Sequence, residues 1–210
     1  MSDHARVTDR RRAVRVGGTS SYEVAIGPGV SAELGAACAA YDRVVVLADE
    51  AVWRLHGARL SLFEDAPRFV CAGHEGSKSL ATLGAVLDFL AASGCSRRSC
   101  LVAFGGGTIT DLGGLAASLF KRGMDVAQVP TTLLAQVDAS VGGKTGINLA
   151  AGKNLVGTFH QPRAVLADTD VLATLPEAEW RSGLAEIAKA ALIAGEADLS
   201  ALERSAEALA

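Results

Sequence analysis

Short blocks of consecutive apolar residues alternate along this chain with longer stretches whose apolar positions recur every three or four residues. The first pattern predicts strands and the second helices, since side chains repeat every two residues in a strand and about every 3.6 in a helix. "SYEVAIGPGV" (21–30) alternates and then turns on Gly27, Pro28 and Gly29, as a strand ending in a tight turn does. "RVVVLADE" (43–50) is a continuous β-branched run, the mark of a strand buried on both faces. "RFVCAG" (68–73) reads as the next strand. "KSLATLGAVLDFLAASG" (78–94) reads as a helix closed by a glycine C-cap at Gly94. "CLVAF" (100–104) is another buried strand, "GGG" a turn, and "TITDLGGLAASLFKRG" (108–123) a second long helix. "DVAQVP" (125–130) and "AVLAD" (164–168) complete the strands, and "RVTDRRRAVRV" (6–16) reads as an N-terminal arm leading into one.

Strands alternating with helices predict an α/β fold with a doubly wound, mostly parallel, Rossmann-like sheet. Ligands of such sheets bind beyond the carboxyl ends of the strands, so Asp49, Gly105 to Gly107, Thr131 and Thr132 are expected to share one crevice. After "TDVLATLP" (169–176) the texture changes. Thr174 and Glu177 fit a capping box with Pro176 in the first turn, and a helical pattern runs to about Ile193, with Leu184, Ile187, Ala188 and Ala191 on its packing face. Gly195 breaks it and "DLSALERSAEALA" opens another helix. Residues 1–175 are therefore expected to form the α/β domain, and 176–210 the start of an all-α domain that is cut short.

Composition narrows the function. Half of the 210 residues are hydrophobic and a fifth charged, ordinary values for a folded protein, and the net charge of −3 argues against nucleic-acid binding by phosphate neutralisation. No apolar run reaches the roughly 20 residues of a membrane span, and the polar N-terminus has no signal-peptide core. Cys38, Cys71, Cys95 and Cys100 lack a zinc-site spacing and read as reduced thiols, which points to the cytoplasm.

The candidate chemistry lies in four stretches. In "AFGGGTITDLGG" (103–114), three glycines between a buried strand and a helix would expose backbone N–H groups to a phosphate, although Thr110 stands where a G-x-G-x-x-G fingerprint has its last glycine. Asp49, at a strand end, is placed either to meet a ribose or simply to be solvated. Glu75 and Lys78 in "HEGSKS" form either a surface pair or part of a site, and Lys121 and Arg122 either complement a helix dipole or belong to a site. "QVDASVGGKTGINLAAGKN" (136–154) gathers Asp138, Lys144, Lys153, Asn148, Asn154 and four glycines. It is either a solvated surface loop or a cationic floor for a phosphate or carboxylate. In "GLAEIAKAAL" (183–192), Glu186 and Lys189 share a helical face, where a salt bridge is commoner than a metal site.

Together these strings resemble the sugar-phosphate cyclases, and most closely the 3-dehydroquinate synthase family. The resemblance rests on "GGGTITDLGG", "KRG", "QVPTTLLAQVDASVGGKTGINLAAGKN", "FHQP", "TLP" and "SGLAEIAK", in family order and with family-like spacing. It implies an NAD-dependent lyase that cyclises a seven-carbon sugar-acid phosphate with phosphate elimination and no net oxidation, a step of the shikimate pathway. By motif position, Asp49, Glu75 and Lys78 would hold the adenosine end of NAD. Gly105, Gly106, Gly107 and Asp111 would line the pyrophosphate region, with Thr131, Thr132 and Thr174 adding contacts. Asp138, Lys144 and Asn154 would meet nicotinamide and substrate, with Lys153 nearby and Lys189 binding substrate. Arg122 would reach the substrate phosphate of a neighbouring subunit, implying a homodimer, and Glu186 would be the first ligand of a divalent zinc or cobalt ion.

Two departures from the family are visible. Thr108 and Thr110 replace residues that are commonly Val and Gly. The family's two histidine metal ligands belong to a later helical domain, and His4, His56, His74 and His160 do not fill those positions, so one carboxylate is the whole expected metal set here. The chain is accordingly expected to be the NAD-binding portion, with little turnover alone, either truncated or working with a separate C-terminal chain. The alternatives are an aminodehydroquinate synthase or another cyclase of secondary metabolism, and an NAD-binding fragment without turnover.

Overall fold

The computed structural model of the chain describes residues 11–18 and 20–207. The first half of the expected N-terminal arm and the last three residues lie outside them. A seven-stranded sheet runs in the order β1 (Arg12–Val16), β2 (Tyr22–Gly27), β9 (Ala164–Asp168), β6 (Asp125–Pro130), β5 (Cys100–Gly105), β3 (Val44–Asp49), β4 (Arg68–Cys71). Every pairing is parallel except the β1–β2 hairpin at one edge.

The continuous apolar strands are buried on both sides, as their lack of alternation predicts. Val45 and Leu47 of β3, with Leu101 and Ala103 of β5, face α3 (Leu80–Ala92) and α4 (Gly107–Leu119). Their neighbours Val46, Ala48, Cys100, Val102 and Phe104 face the other layer, built from α1 (Leu34–Cys38), α2 (Glu50–His56) and a 3-10 segment, Gly57–Phe63. Val45, Val46, Leu47, Leu101 and Val102 are wholly buried, worth about 1.5–3 kcal/mol each. Gly113 lets α4 lie on the sheet: a Cβ there would come within 2.8 Å of the Ala103 Cβ.

Helix α3 starts where Ser79 accepts the Thr82 N–H, and it ends as expected at Gly94. There φ is +68°, and the N–H of Cys95 returns to the Leu90 carbonyl. The expected sheet and its flanking helices are all present. The stretch 136–154 is more ordered than its glycines suggest. Ala135–Ala139 form a π-helical turn, and β7 (Ile147–Leu149) pairs with β8 (Gly152–Val156) in a hairpin over α3 and α4. Ile147 sinks into the core and Val156 packs against it, which helps to hold this hairpin to the body.

Helix α5 (Glu177–Ala194) and α6 (Glu196–Glu207) follow, and Gly195 separates them as expected. The expected capping box does not form. Pro176 occupies the N-cap position with no side-chain cap, and the Thr174 hydroxyl donates instead to the Val171 carbonyl. The expected packing face is revised in part: Ala191 is buried as expected and Ile187 and Ala188 are half-buried, but Leu184 is exposed and Gly183 is buried instead. Leu133 sits so close to Gly183 that a Cβ there would come within 2.5 Å of it, so the helix docks through its smallest residue.

Candidate functional site

The chain runs from β3 outwards to β4 and then returns to β5 on the other side of β3, so the topological switch point falls between the carboxyl ends of β3 and β5. Crevices open at such points because the connections leave in opposite directions. Asp49 ends β3, and Gly105 to Gly107 lead from β5 into α4. A cavity of about 770 Å³ opens here, lined by Asp49, Glu75, Lys78, Gly106, Gly107, Asp111, Thr131, Thr132, Lys153 and Thr174, and by Asp138 and Asn154. A second cavity of about 540 Å³ adjoins it, and Lys144 lines this one with Thr145, Thr158 and Phe159. Asp111, Asp138, Ala139 and Asn154 border both.

The glycine-rich turn is built for close approach. A Cβ on Gly105 would come within 2.7 Å of Ile109, and one on Gly106 within 2.9 Å of the Thr132 methyl. Gly106 is the N-cap of α4 and no side chain caps it, so the positive end of the helix faces the crevice. Thr110, at the place of the fingerprint's last glycine, is buried with its hydroxyl donating to the Gly107 carbonyl. The motif's departure is thus absorbed within the helix.

Asp49 has two tasks in this geometry. Its Oδ1 accepts the N–H groups of Ala51 and Val52 and so caps α2. Its Oδ2 lies over Gly73, where any Cβ would collide with it.

Lys78 is the central cation. It is only 5 % exposed, and its Nζ donates to Asp111 Oδ2 at 2.6 Å and to Asn154 Oδ1 at 2.5 Å. The sequence alternative of a surface pair between Glu75 and Lys78 is therefore wrong, because the lysine turns inward. Burial raises the Asp111 carboxyl above the usual carboxylate range, against the lowering effect of Lys78, and the nearby Glu75 and Asp138 add to the rise. Glu75 goes the other way. The amide of Asn148 donates to its Oε1 at 2.8 Å, and with Lys78 and Lys153 nearby the carboxyl is held below its usual value.

At the other wall, Lys189 bridges from α5 to the π-helical turn. It pairs with Glu186 one turn earlier and lies 3.9 Å from Asp138 Oδ1. The Glu186 contact is the main reason that the Lys189 ammonium is held above its usual range.

Beneath the crevice, Asp168 is wholly buried at the end of β9. Burial opposes its charge. The Ser31 hydroxyl at 2.5 Å, the N–H groups of Gly29 and Asp170, and the Arg59 guanidinium outweigh that cost and keep its carboxyl below the usual range. The Gln136 amide meanwhile donates to its carbonyl, which ties the π-helical turn to β9.

Not every expected residue converges. Gly105 stands behind the crevice, its carbonyl accepting the Thr131 N–H. Arg122 is exposed at the far end of α4, about 20 Å along the helix from the crevice. Lys121 and Arg122 both adopt left-handed backbone there, φ +49° and +66°. Glu186 pairs with Lys189, and no cluster of three His, Cys, Asp or Glu able to hold a metal occurs among the described residues. The described residues thus do not by themselves fit a divalent cation.

Several residues that sequence patterns do not single out belong to the site. His56 meets the Thr174 hydroxyl at 2.7 Å at the mouth of the crevice, and burial, followed by Arg59, keeps its imidazole below the usual value. His74, Gly73 and Glu179 also line that end. Their positions at strand and helix ends were the only available signal.

Fold and crevice together define a doubly wound, Rossmann-like protein with an open cavity at the sheet's switch point. Residues 68–182 match the family profile described as 3-dehydroquinate synthase N-terminal. The chain is 52% identical to the 3-dehydroquinate synthase of Opitutus terrae over 164 residues, 78% of this chain and 45% of that one. It is 47% identical to that of Caulobacter vibrioides over 208 residues, 94% of this chain and 56% of the other. Among solved structures it resembles 2-deoxy-scyllo-inosose synthase complexed with carbaglucose-6-phosphate, NAD+ and Co2+. The TM-score there is 0.78 at 30% identity, covering 86% of this chain and 52% of that one. It also resembles the 2-epi-5-epi-valiolone synthase of Streptomyces hygroscopicus with NAD+ and Zn2+ bound, with TM-score 0.74, 37% identity, and 85% and 51% covered. The chain belongs to the 3-dehydroquinate synthase family. It spans about half the length of the curated relatives it matches.

Proposed function

We propose that this chain forms the NAD-binding part, and one wall of the substrate site, of a 3-dehydroquinate synthase-type lyase. The observation that carries this is the pair of adjoining cavities that share Asp111, Asp138, Ala139 and Asn154. One is headed by an uncapped helix N-terminus and the other by lysine, as a dinucleotide and an anionic substrate that must exchange a hydride would require.

NAD supplies reversible hydride acceptance when bound. The uncapped start of α4 would take the pyrophosphate, where backbone N–H groups and the helix dipole favour negative charge. Asp49, with its Oδ2 outside the α2 cap, would accept from a ribose hydroxyl, with Glu75 and Lys153 at the same end. Thr131, Thr132 and Thr174 would add hydroxyl contacts. Lys144 and Lys189 would attract the phosphate and carboxylate of a sugar-acid phosphate, and Asp138 and Asn154 would orient its hydroxyls. Lys78, held by Asp111 and Asn154, would keep the partition between cofactor and substrate in place. No step is assigned to a metal, because Glu186 is the single candidate ligand and already carries Lys189. Arg122, exposed and remote from its own crevice, suits a role in the site of a second copy, which makes the working unit a homodimer. All four cysteines are free thiols, which supports a reducing cytoplasm, and no helix among the described residues is long and apolar enough to cross a membrane.

Calorimetric titration of the purified chain with NAD+ tests this, with Gly106→Val as the control. The valine side chain would project against Thr132 into the cavity. Saturable binding, weakened tenfold or more by Gly106→Val with an unchanged circular dichroism spectrum, is expected. Equal binding by both proteins would overturn the assignment of the glycine-rich turn.

A further inference from the structure

Asn148 lines neither cavity, yet its hydrogen bonds reach three residues that do. Its backbone N–H donates to the Lys78 carbonyl at 2.8 Å. Its side-chain Nδ2 donates to Glu75 Oε1 at 2.8 Å, and its Oδ1 accepts the backbone N–H of Asn154 at 2.8 Å. Lys78 closes the ring by donating to Asn154 Oδ1. Asn154 itself sits at φ +55°, a left-handed backbone that asparagine adopts more readily than most residues but that needs support from its surroundings. Lys153 beside it is exposed and lies 3.7 Å from Glu75.

We propose that Asn148 is a positioning residue that joins the two walls of the crevice into one unit. One wall is the Glu75–Lys78 turn, which leads into α3, and the other is the Lys153–Asn154 arm of the β7–β8 hairpin. An amide serves here because one end must accept from a backbone N–H while the other donates to a carboxylate. An aspartate keeps the acceptor and sets a second carboxylate against Glu75. An alanine keeps neither. The clamp holds the adenosine-end residues Glu75 and Lys153 in register with Asn154, so that loosening the hairpin also loosens the cofactor end. This last consequence rests on the reading of the larger cavity as an NAD site.

Two variants and two readouts test it. Site-resolved amide exchange is measured on the wild-type chain, Asn148→Ala and Asn148→Asp, together with NAD+ titration of each. Losing one backbone hydrogen bond predicts exchange at Asn154 roughly five- to tenfold faster in Asn148→Ala. Amides of the buried strand Cys100–Gly105 should be unchanged, a separation that general destabilisation would not give. Asn148→Asp should retain the slow Asn154 exchange. Both variants should bind NAD+ more weakly, since both lose the link to Glu75. Unchanged Asn154 exchange in Asn148→Ala overturns the clamp, and so does wild-type NAD+ affinity in both variants. Absence of NAD+ binding by the wild-type chain would instead overturn the cofactor reading, and the exchange result would still decide the clamp.

Discussion

Replacing Lys78 with methionine isolates a charge that the fold keeps paired. Lys78 is 5% exposed, the Asp111 side chain 19%, and their contact is 2.6 Å. Methionine fills nearly the same space, so packing changes little and the loss is mainly electrostatic. Removing one partner of a buried pair costs about 3–5 kcal/mol. A fifth of the Asp111 side chain still meets water, which puts the expectation at the lower end, about 3 kcal/mol at pH 7.5.

The cost should depend on pH, and its sign follows from Asp111. Burial already raises this carboxyl and Lys78 is what lowers it, so without Lys78 it rises further under the remaining influence of burial, Glu75 and Asp138. A carboxyl whose folded pKa exceeds its unfolded value, about 3.9, binds more protons when folded. Its contribution to stability is present below that value and is lost as pH rises through the folded pKa. The variant loses more than the wild type over that range, so the gap between them should be small near pH 4 and fully open by pH 7.5. Urea unfolding at both pH values measures it. Adding Asp111→Asn removes the stranded charge and should recover at least half of the loss. A cost equal at the two pH values, or a double variant as unstable as the single one, would refute the buried-pair account.

Asp168→Asn should cost about 2–3 kcal/mol at neutral pH, since it takes the charge from a knot of five donors around a wholly buried carboxylate. The wild-type carboxyl is held below its unfolded value, so its contribution is present above about pH 4 and is lost as pH falls through the folded pKa. The acid limb of the variant's stability curve should therefore be flatter, and an identical limb would count against Asp168. Gly183→Ala forces a Cβ to within 2.8 Å of the Leu134 nitrogen, a backbone atom that cannot swing aside. A loss of about 2 kcal/mol, or about 4–8 °C in Tm for a chain of this size, is expected in a thermal melt. An unchanged Tm would mean that α5 does not dock through this glycine.

Periodicity alone determined the sheet, the two long helices of the domain and the break at Gly195, because burial on both faces or on one stripe is written into the spacing of apolar residues. The crevice was legible for a related reason. Asp49, the three glycines and Thr131–Thr132 all end strands of a parallel sheet, and the parallel register brings those ends together. Family motifs pointed to other residues that line the crevice, such as Asp138 and Asn154, but not to His56, Gly73, His74 or Glu179.

Helical spacing foretold the Glu186–Lys189 pair, but tertiary structure decided which charges meet across the crevice. Lys78 stands three residues from Glu75 and reads as its surface partner. In the fold it is buried against Asp111 and Asn154, 33 and 76 residues away, because the β7–β8 hairpin closes over it. That hairpin was invisible to a strand search, since its strands are short and parted by Ala150 and Ala151, with Leu149 and Leu155 exposed and Ile147 alone fully buried. Thr174 likewise carried a capping signature but bonds to His56 and Val171, and Leu184 carried a core signature but faces outward. Spacing reports which residues share a face, whereas burial and partners depend on what the rest of the chain brings to that face.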